Sequence, residues 1–329
     1  PALWIKKYGE EQGIKLKIVL RSMERSKKHR MAKWVCMKLY LDHRILIDVP
    51  TLFGWGDKKN QISDEIYLKV KEATEFVESL EDIVEVVDGI ENPTGIFYHL
   101  EKEALSKGKL YKYKKIDGKE VPYVHYKGQT KVASLEELPK GLTKYQPVYI
   151  PDDKREVTIF VLDHLQAMKT ESGLNDKQNL DRMSEYARVL RDLYGMSPII
   201  VNQLNRNISD TYRRTKTDLL PEDKDFTGSS NMYNDCDVAG ILFNPYKYGI
   251  NDLKGWFVKE CVDSEFGINR FRSFHLLKNT YGPDNQIFGY NFIGENGLYK
   301  ELPKPSDMNN SIYNNVAYPF YTQRLTTVT

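Results

Sequence analysis

Three polar residues in this chain stand just beyond short apolar runs. Glu24 follows Leu16-Lys-Ile-Val-Leu20, Asp163 follows Val157-Thr-Ile-Phe-Val-Leu162 directly, and Gln203 follows Pro198-Ile-Ile-Val201. An apolar strand ending in Asp holds a carboxylate rigidly beside a metal that bridges phosphates, which is what a nucleoside triphosphatase requires. A nearby Glu can orient and deprotonate the attacking water, and an amide can sense the terminal phosphate. Were the three runs strands of one parallel sheet, all three residues would reach the same edge, where such sheets bind ligands. Taken singly, each is equally consistent with capping a turn.

The elements that would carry them read as follows. Leu3, Trp4, Ile5 and Tyr8 give helical spacing over 2–13, followed by Gly13 and the first apolar strand. Apolar positions recur at helical intervals over 27–46 and 63–80, and Ile83-Val-Glu-Val-Val87 is a short buried strand. After the strand ending at Asp163, a helix is expected over about 180–194, then the strand at 198–201. Further strands are expected at 238–243 and 271–277, with a final pair near 287–293. Strands alternating with helices predict an α/β fold with a mostly parallel, helix-flanked sheet.

Residues 110–150 interrupt that order. Tyr111, Tyr113, Ile116, Val121, Tyr123 and Tyr126 alternate around Asp117-Gly118, a hairpin turn signal, so an inserted β-hairpin is expected. Its lysines, 112, 114, 115, 119 and 127, could meet phosphates while its tyrosines stack on bases; a solvated hairpin with one lysine-rich face is the alternative. The stretch 303–329 has Pro303, Pro305, a cluster of asparagines and no periodicity, and reads as an extended or disordered tail.

Several segments together resemble the DnaB-type replicative helicases. Ser22-Met-Glu-Arg-Ser26 is similar to that family's S-L-E-M-S, Val161-Leu-Asp-His-Leu-Gln-Ala-Met168 to its I-D-Y-L-Q-L-M, and Val201-Asn-Gln-Leu-Asn-Arg206 to its S-Q-L-N-R. Asn234-Asp-Cys-Asp-Val238 is similar to Q-D-A-D-V, and Val86 through Thr94 to the D-x-P-x-(S/T) segment. Order and spacing agree over roughly 10–50, 82–108 and 155–295, leaving the insert and the tail outside the resemblance. The resemblance implies a RecA-like ATPase core over 1–302. It further implies a homo-oligomeric ring, a hexamer in that family, with ATP at subunit interfaces, single-stranded DNA through the centre, and a primase or loader as a further partner. Glu24 would be the catalytic base, Asp163 the Mg²⁺ ligand through water, and Gln203 the sensor. The DNA-binding loops would be 205–217, with Arg206, Arg213, Arg214 and Lys216, and 225–232, with Thr227, Gly228, Ser229 and Ser230; solvated loops would look the same by charge.

Two departures accompany the resemblance. The sequence has no G-x-x-x-x-G-K-[ST] phosphate loop; Gly54-Trp-Gly-Asp-Lys-Lys59 lacks the second glycine. The chain begins with Pro1, so the loop and any N-terminal domain are expected upstream, the alternative being a degenerate relative that has lost the phosphate cradle. In Leu277-Lys-Asn-Thr-Tyr-Gly-Pro283, similar to the family's K-x-R-x-G-x, Thr280 stands at the arginine-finger position, which leaves Lys278 or Arg272 to substitute.

Composition limits the other possibilities. Forty-eight Lys+Arg against 46 Asp+Glu leave a net +2, so any nucleic-acid contact must be local rather than a property of bulk charge. No apolar run approaches the roughly 20 residues that span a bilayer. Three scattered cysteines favour a reducing compartment, hence the cytoplasm, over a disulfide framework. The histidines show no metal-site spacing, and His164 is expected to be a packing or loop-positioning residue.

Overall fold

The computed structural model describes residues 2–55, 62–89, 91–204, 219–226, 230–263 and 267–317. In chain order its elements begin with α1 (Ala2–Glu11), β1 (Lys15–Ser22), α2 (Lys27–His43), the single turn α3 (Val49–Leu52), α4 (Asp64–Ser79), β2 (Val84–Asp88) and α5 (Pro93–Ser106). There follow β3 (Gly108–Ile116), β4 (Lys119–Tyr126), β5 (Gln129–Val132), β6 (Val148–Pro151), β7 (Glu156–Asp163), α6 (Asp176–Asp192) and β8 (Ser197–Ile200). The last are α7 (Ser230–Asp235), β9 (Val238–Phe243), β10 (Phe271–Asn279), β11 (Gln286–Ile293), β12 (Leu298–Glu301) and α8 (Asn310–Ala317). Two units divide them: Pro1–Ser26 with Glu81–Gln203, and Lys27–Leu80 with Leu204–Thr329.

The first unit is built on a parallel sheet in the order β2-β1-β7-β8. Its strands are rich in Val, Ile and Leu because both faces of a parallel sheet are covered, and Val19, Phe160 and Leu162 are buried in it. Two flanking helices, α5 and α6, pack on each other through stacked Phe97 and Tyr186 rings with centroids 4.5 Å apart. Helix α5 is an addition to the elements expected from sequence, yet its start is encoded: Asn92 caps it by accepting from the Gly95 amide at 2.8 Å, Pro93 follows, and Ile96, Leu100 and Ala104 bury one stripe. Helix α6 starts at 176, four residues before the expected 180, because Asn175 and Gln178 form a reciprocal capping box.

The insert is more than the expected hairpin. Asp117 (φ +47°) and Gly118 (φ +80°) make the tight β3–β4 turn, and Lys127 (φ +48°) with Gly128 (φ +77°) makes a second one of the same kind into β5. Adding β6 gives an antiparallel sheet in the order β5-β4-β3-β6. Tyr111, Val124 and Ala133 form its small core under Leu138 and Leu142. At its base Gly108 lets the Tyr149 ring lie flat against the backbone, where a Cβ would collide with it. The Tyr149 hydroxyl donates to the Ala104 carbonyl at 2.7 Å, joining the insert to α5.

In the second unit α2 and α4 bury Ala32, Val35, Cys36, Leu39, Ala73 and Val77 together with Ile45, Ile47 and Val49. An antiparallel sheet in the order β12-β11-β10-β9 accounts for the expected later strands. Its cluster of Leu253, Trp256, Val258, Cys261 and Phe271 also receives Leu302, Tyr313 and Val316. That packing corrects the expectation of an extended or disordered tail from 303: Asn310–Ala317 is helical, because Tyr313, Val316 and Ala317 supply one apolar stripe that this core buries. Residues 318–329 lie outside the described residues. Cys36, Cys236 and Cys261 are free thiols, and burial pushes Cys36 and Cys261 up to about 12.

Candidate functional site

Strand register sets the site edge. Ser22 of β1 lies opposite Asp88 of β2 on one side and Asp163 of β7 on the other, and Leu162 lies opposite Ile200 of β8. The carboxyl ends of all four strands are therefore nearly level. Beyond β1, the buried Ser22 hydroxyl donates to the Arg25 carbonyl at 2.6 Å, closing a turn that carries Glu24. Arg21, also buried, pairs with Glu91 at 3.0 Å.

Beyond β7 the chain reverses abruptly. His164 adopts a left-handed conformation (φ +70°, ψ +70°), uncommon for a residue with a Cβ and a mark of a locally constrained backbone. It leads into the 3₁₀ turn Leu165–Ala167, held by the Leu165 amide donating to the Val201 carbonyl at 3.0 Å and by the fully buried Leu165 side chain. In this arrangement the His164 Nδ1 lies against the Glu24 Oε1. The histidine expected to serve packing or loop position thus touches the carboxylate expected to act as base. Sequence spacing does not reveal it, since 140 positions separate the two residues and only the sheet register joins them.

Gln203 sits on the same edge. Its amide nitrogen donates to the Gln166 side-chain oxygen at 3.2 Å, and the Gln166 side-chain nitrogen donates to the Gln203 carbonyl at 3.4 Å. The turn after Asp163 is thereby tied to the segment after β8. The structure so brings Glu24, Asp163 and Gln203 to one edge within a single unit; the link through Gln166 carries no signal in the sequence.

No cluster of three His, Cys, Asp or Glu side chains that could hold a metal occurs among the described residues. Mg²⁺ at a phosphate site is ordinarily held by one or two carboxylates, with water and substrate oxygens completing its shell. Asp163, fixed at a strand end with Asp88 level two strands away, fits that sparse donor set.

The remaining expected residues fall elsewhere. Lys278 of β10 donates to the carbonyls of Tyr233 and Asn234, each at 2.9 Å, which neutralises the exposed carbonyl end of α7. Arg272 donates to the Asn269 and Phe271 carbonyls at 2.9 and 2.6 Å and covers the Phe292 ring, and burial lowers its pKa. A guanidinium tied down in this way is not extended like a finger, so Arg272 is a poor substitute for the missing arginine. Arg206, Arg213, Arg214, Lys216, Thr227, Gly228 and Ser229 lie outside the described residues.

No protein-family model matches the chain, and no curated protein matches it in sequence. In structure it is similar to a DnaB-like replicative helicase described with its interactions with primase, at a TM-score of 0.55 and 14% identity, over 90% of this chain and 53% of that one. It is also similar to a second solved structure, described as an ATPase domain, at a TM-score of 0.55 and 14% identity, over 92% of this chain and 80% of that one. The chain spans about half the length of the first of these. The likeness is one of fold, a parallel sheet flanked by helices as in these helicase structures. No helix among the described residues is long and apolar enough to cross a membrane.

Proposed function

We propose that this chain is the motor portion of a replicative helicase, hydrolysing ATP with Mg²⁺ to move along single-stranded DNA as a homo-oligomeric, hexameric ring in the cytoplasm. The observation that carries the reading is the convergence of Glu24, Asp163 and Gln203 on one edge of a parallel sheet. Glu24 activates water, Asp163 holds the metal through a water molecule, and Gln203 relays the state of the terminal phosphate to the loops around 205–217 and 225–232. Arg206, Arg213, Arg214 and Lys216 take backbone phosphates there, with Thr227, Gly228 and Ser229 adding hydroxyl and amide donors. Primase, named for one of the structural neighbours, is the protein partner this reading carries over.

A second reading is favoured by Thr280 at the finger position: a catalytically degenerate RecA-fold subunit that binds nucleic acid or scaffolds an assembly. ATP turnover by the longest natural form, with and without single-stranded DNA, separates the two. The motor reading expects DNA-stimulated turnover that Glu24→Gln and Asp163→Ala both abolish. Absent turnover overturns it in favour of the scaffold, and turnover indifferent to both substitutions overturns the roles given to Glu24 and Asp163.

A further inference from the structure

The insert carries two unlike faces. Register places Tyr111, Val124 and Glu120 on one, where Tyr111 and Val124 are buried beneath Leu138 and Leu142. The other face holds Leu110 and His125 at its base, then the cross-strand rows Lys112, Tyr123 and Val132, Lys114 and Val121, and Ile116 and Lys119. Leu110 is buried, whereas Lys112, Lys114 and Lys119 are exposed, Val132 is 58% exposed and Ile116 36%. No carboxylate occupies a strand position on this face: Glu120 is on the opposite face and Asp117 is in the turn. Three lysines on an exposed sheet face with no strand carboxylate among them present positive charge that a polyanion can meet.

We propose that this face of the insert is a platform for single-stranded nucleic acid. Lys112 and Lys114 are two residues apart on one strand, about 6.8 Å, and with Lys119 they border Tyr123, Val121 and Val132. A base laid on the Tyr123 ring leaves its flanking phosphates over the lysines, the combination by which sheet surfaces hold single strands without reading sequence. A duplex would present stacked bases and leave Tyr123 and Val132 with nothing to cover them, so the apolar strip selects the single strand. The site lies in the segment outside the helicase resemblance, in the first unit, and requires no ATP turnover.

The test uses the full chain with Arg206, Arg213 and Arg214 all changed to Gln, so that binding by the other loops does not mask the insert. Fluorescence anisotropy with a 20-nucleotide oligodeoxythymidine, and with oligouridine of the same length, is followed as a function of salt. Neutralising Lys112, Lys114 and Lys119 to Gln is expected to reduce the slope of log affinity against log salt by about 2, from three phosphate contacts at about 0.7 each. Tyr123→Ala is expected to weaken binding about tenfold, and Tyr123→Phe to restore it. Lys115→Gln with Lys131→Gln, exposed on the opposite face, serves as the control and is expected to leave affinity unchanged. An iodouracil-substituted strand should crosslink within 108–132. An unchanged slope, equal loss in the control, or polyglutamate binding as tightly with Tyr123→Ala silent overturns the proposal. A preference between the two oligonucleotides assigns the site to DNA or to RNA.

Discussion

The imidazole of His164 rests against the carboxylate of Glu24, although the two residues follow different strands. His164 stands immediately after the strand-end Asp163, so under the motor reading it would lie between the proposed metal ligand and the proposed base. His164 meets Glu24 from a left-handed backbone. Under the motor reading, Glu24→Gln lowers turnover by about 10²–10⁴-fold. His164→Phe removes only the contact that orients the carboxylate and is expected to lower kcat about tenfold with KM little changed. The double variant should be no slower than Glu24→Gln alone, because the pair acts as a unit. Multiplying losses would place the action of His164 elsewhere.

Lys278 is expected to matter more to stability than to chemistry. Its two bonds to the Tyr233 and Asn234 carbonyls close the end of α7, and Lys278→Met leaves both carbonyls to water. The loss is expected at about 1–2 kcal/mol, or a drop of a few degrees in Tm. Thermal denaturation beside single-turnover hydrolysis decides the matter. A rate loss of about 10³-fold with Tm unmoved would give Lys278 the finger's role at a neighbouring site.

His275 predicts a pH dependence. Burial in β10 lowers its pKa from 6.5 to about 4, and its Nε2 meets the Ser273 hydroxyl at 2.9 Å. The unfolded chain takes up this proton as pH falls through 6.5, while the folded chain does not until about 4. Stability from this group is therefore complete above 6.5, falls between 6.5 and 4, and is flat below. The loss amounts to about 2 kcal/mol at pH 5. Urea unfolding at pH 7.5 and pH 5 should show a larger fall in the wild type than in His275→Asn. Equal falls would mean that another group carries the dependence.

How much of the fold is legible in the sequence follows from how locally each feature is encoded. The edge residues are legible because Leu16–Leu20, Val157–Leu162 and Pro198–Val201 are apolar runs whose period and endings are complete within a few residues. Strand β9 has the ends expected of it, and α4 agrees to within a residue, for the same reason. Helix α5 escapes a reading by motif although Asn92-Pro93 announces it, because the segment at 86–94 overlaps its start and the stripe of Ile96, Leu100 and Ala104 lies beyond. Helix α8 reads as a tail since asparagines dominate its composition, and only the cluster around Trp256 gives Tyr313 and Val316 something to bury against. The contact of His164 with Glu24 and the pairing of Gln166 with Gln203 depend on strand register, a long-range property that no local pattern carries.

Arg270 provides the sharpest test of the second unit's packing. It is 1% exposed, and its guanidinium donates to Asp263 at 3.0 and 2.8 Å and to Glu295 at 3.0 and 2.9 Å. Lys33 of α2 donates to the Gly294 and Glu295 carbonyls at 2.9 and 2.6 Å, fastening the same corner to the helical cluster. Removing the guanidinium takes a four-bond partner from two carboxylates, one of them buried, and Arg270→Met is expected to cost about 3–5 kcal/mol. Arg270→Lys keeps the charge but cannot present two forked faces, so an intermediate loss is expected. Replacing all three members together, as Arg270→Met, Asp263→Leu and Glu295→Met, removes the desolvation cost along with the attraction and should recover much of the stability. Chemical denaturation of the four proteins distinguishes these cases. If the triple variant is less stable than Arg270→Met alone, the cluster stabilises the unit by its net attraction, and the argument from desolvation fails.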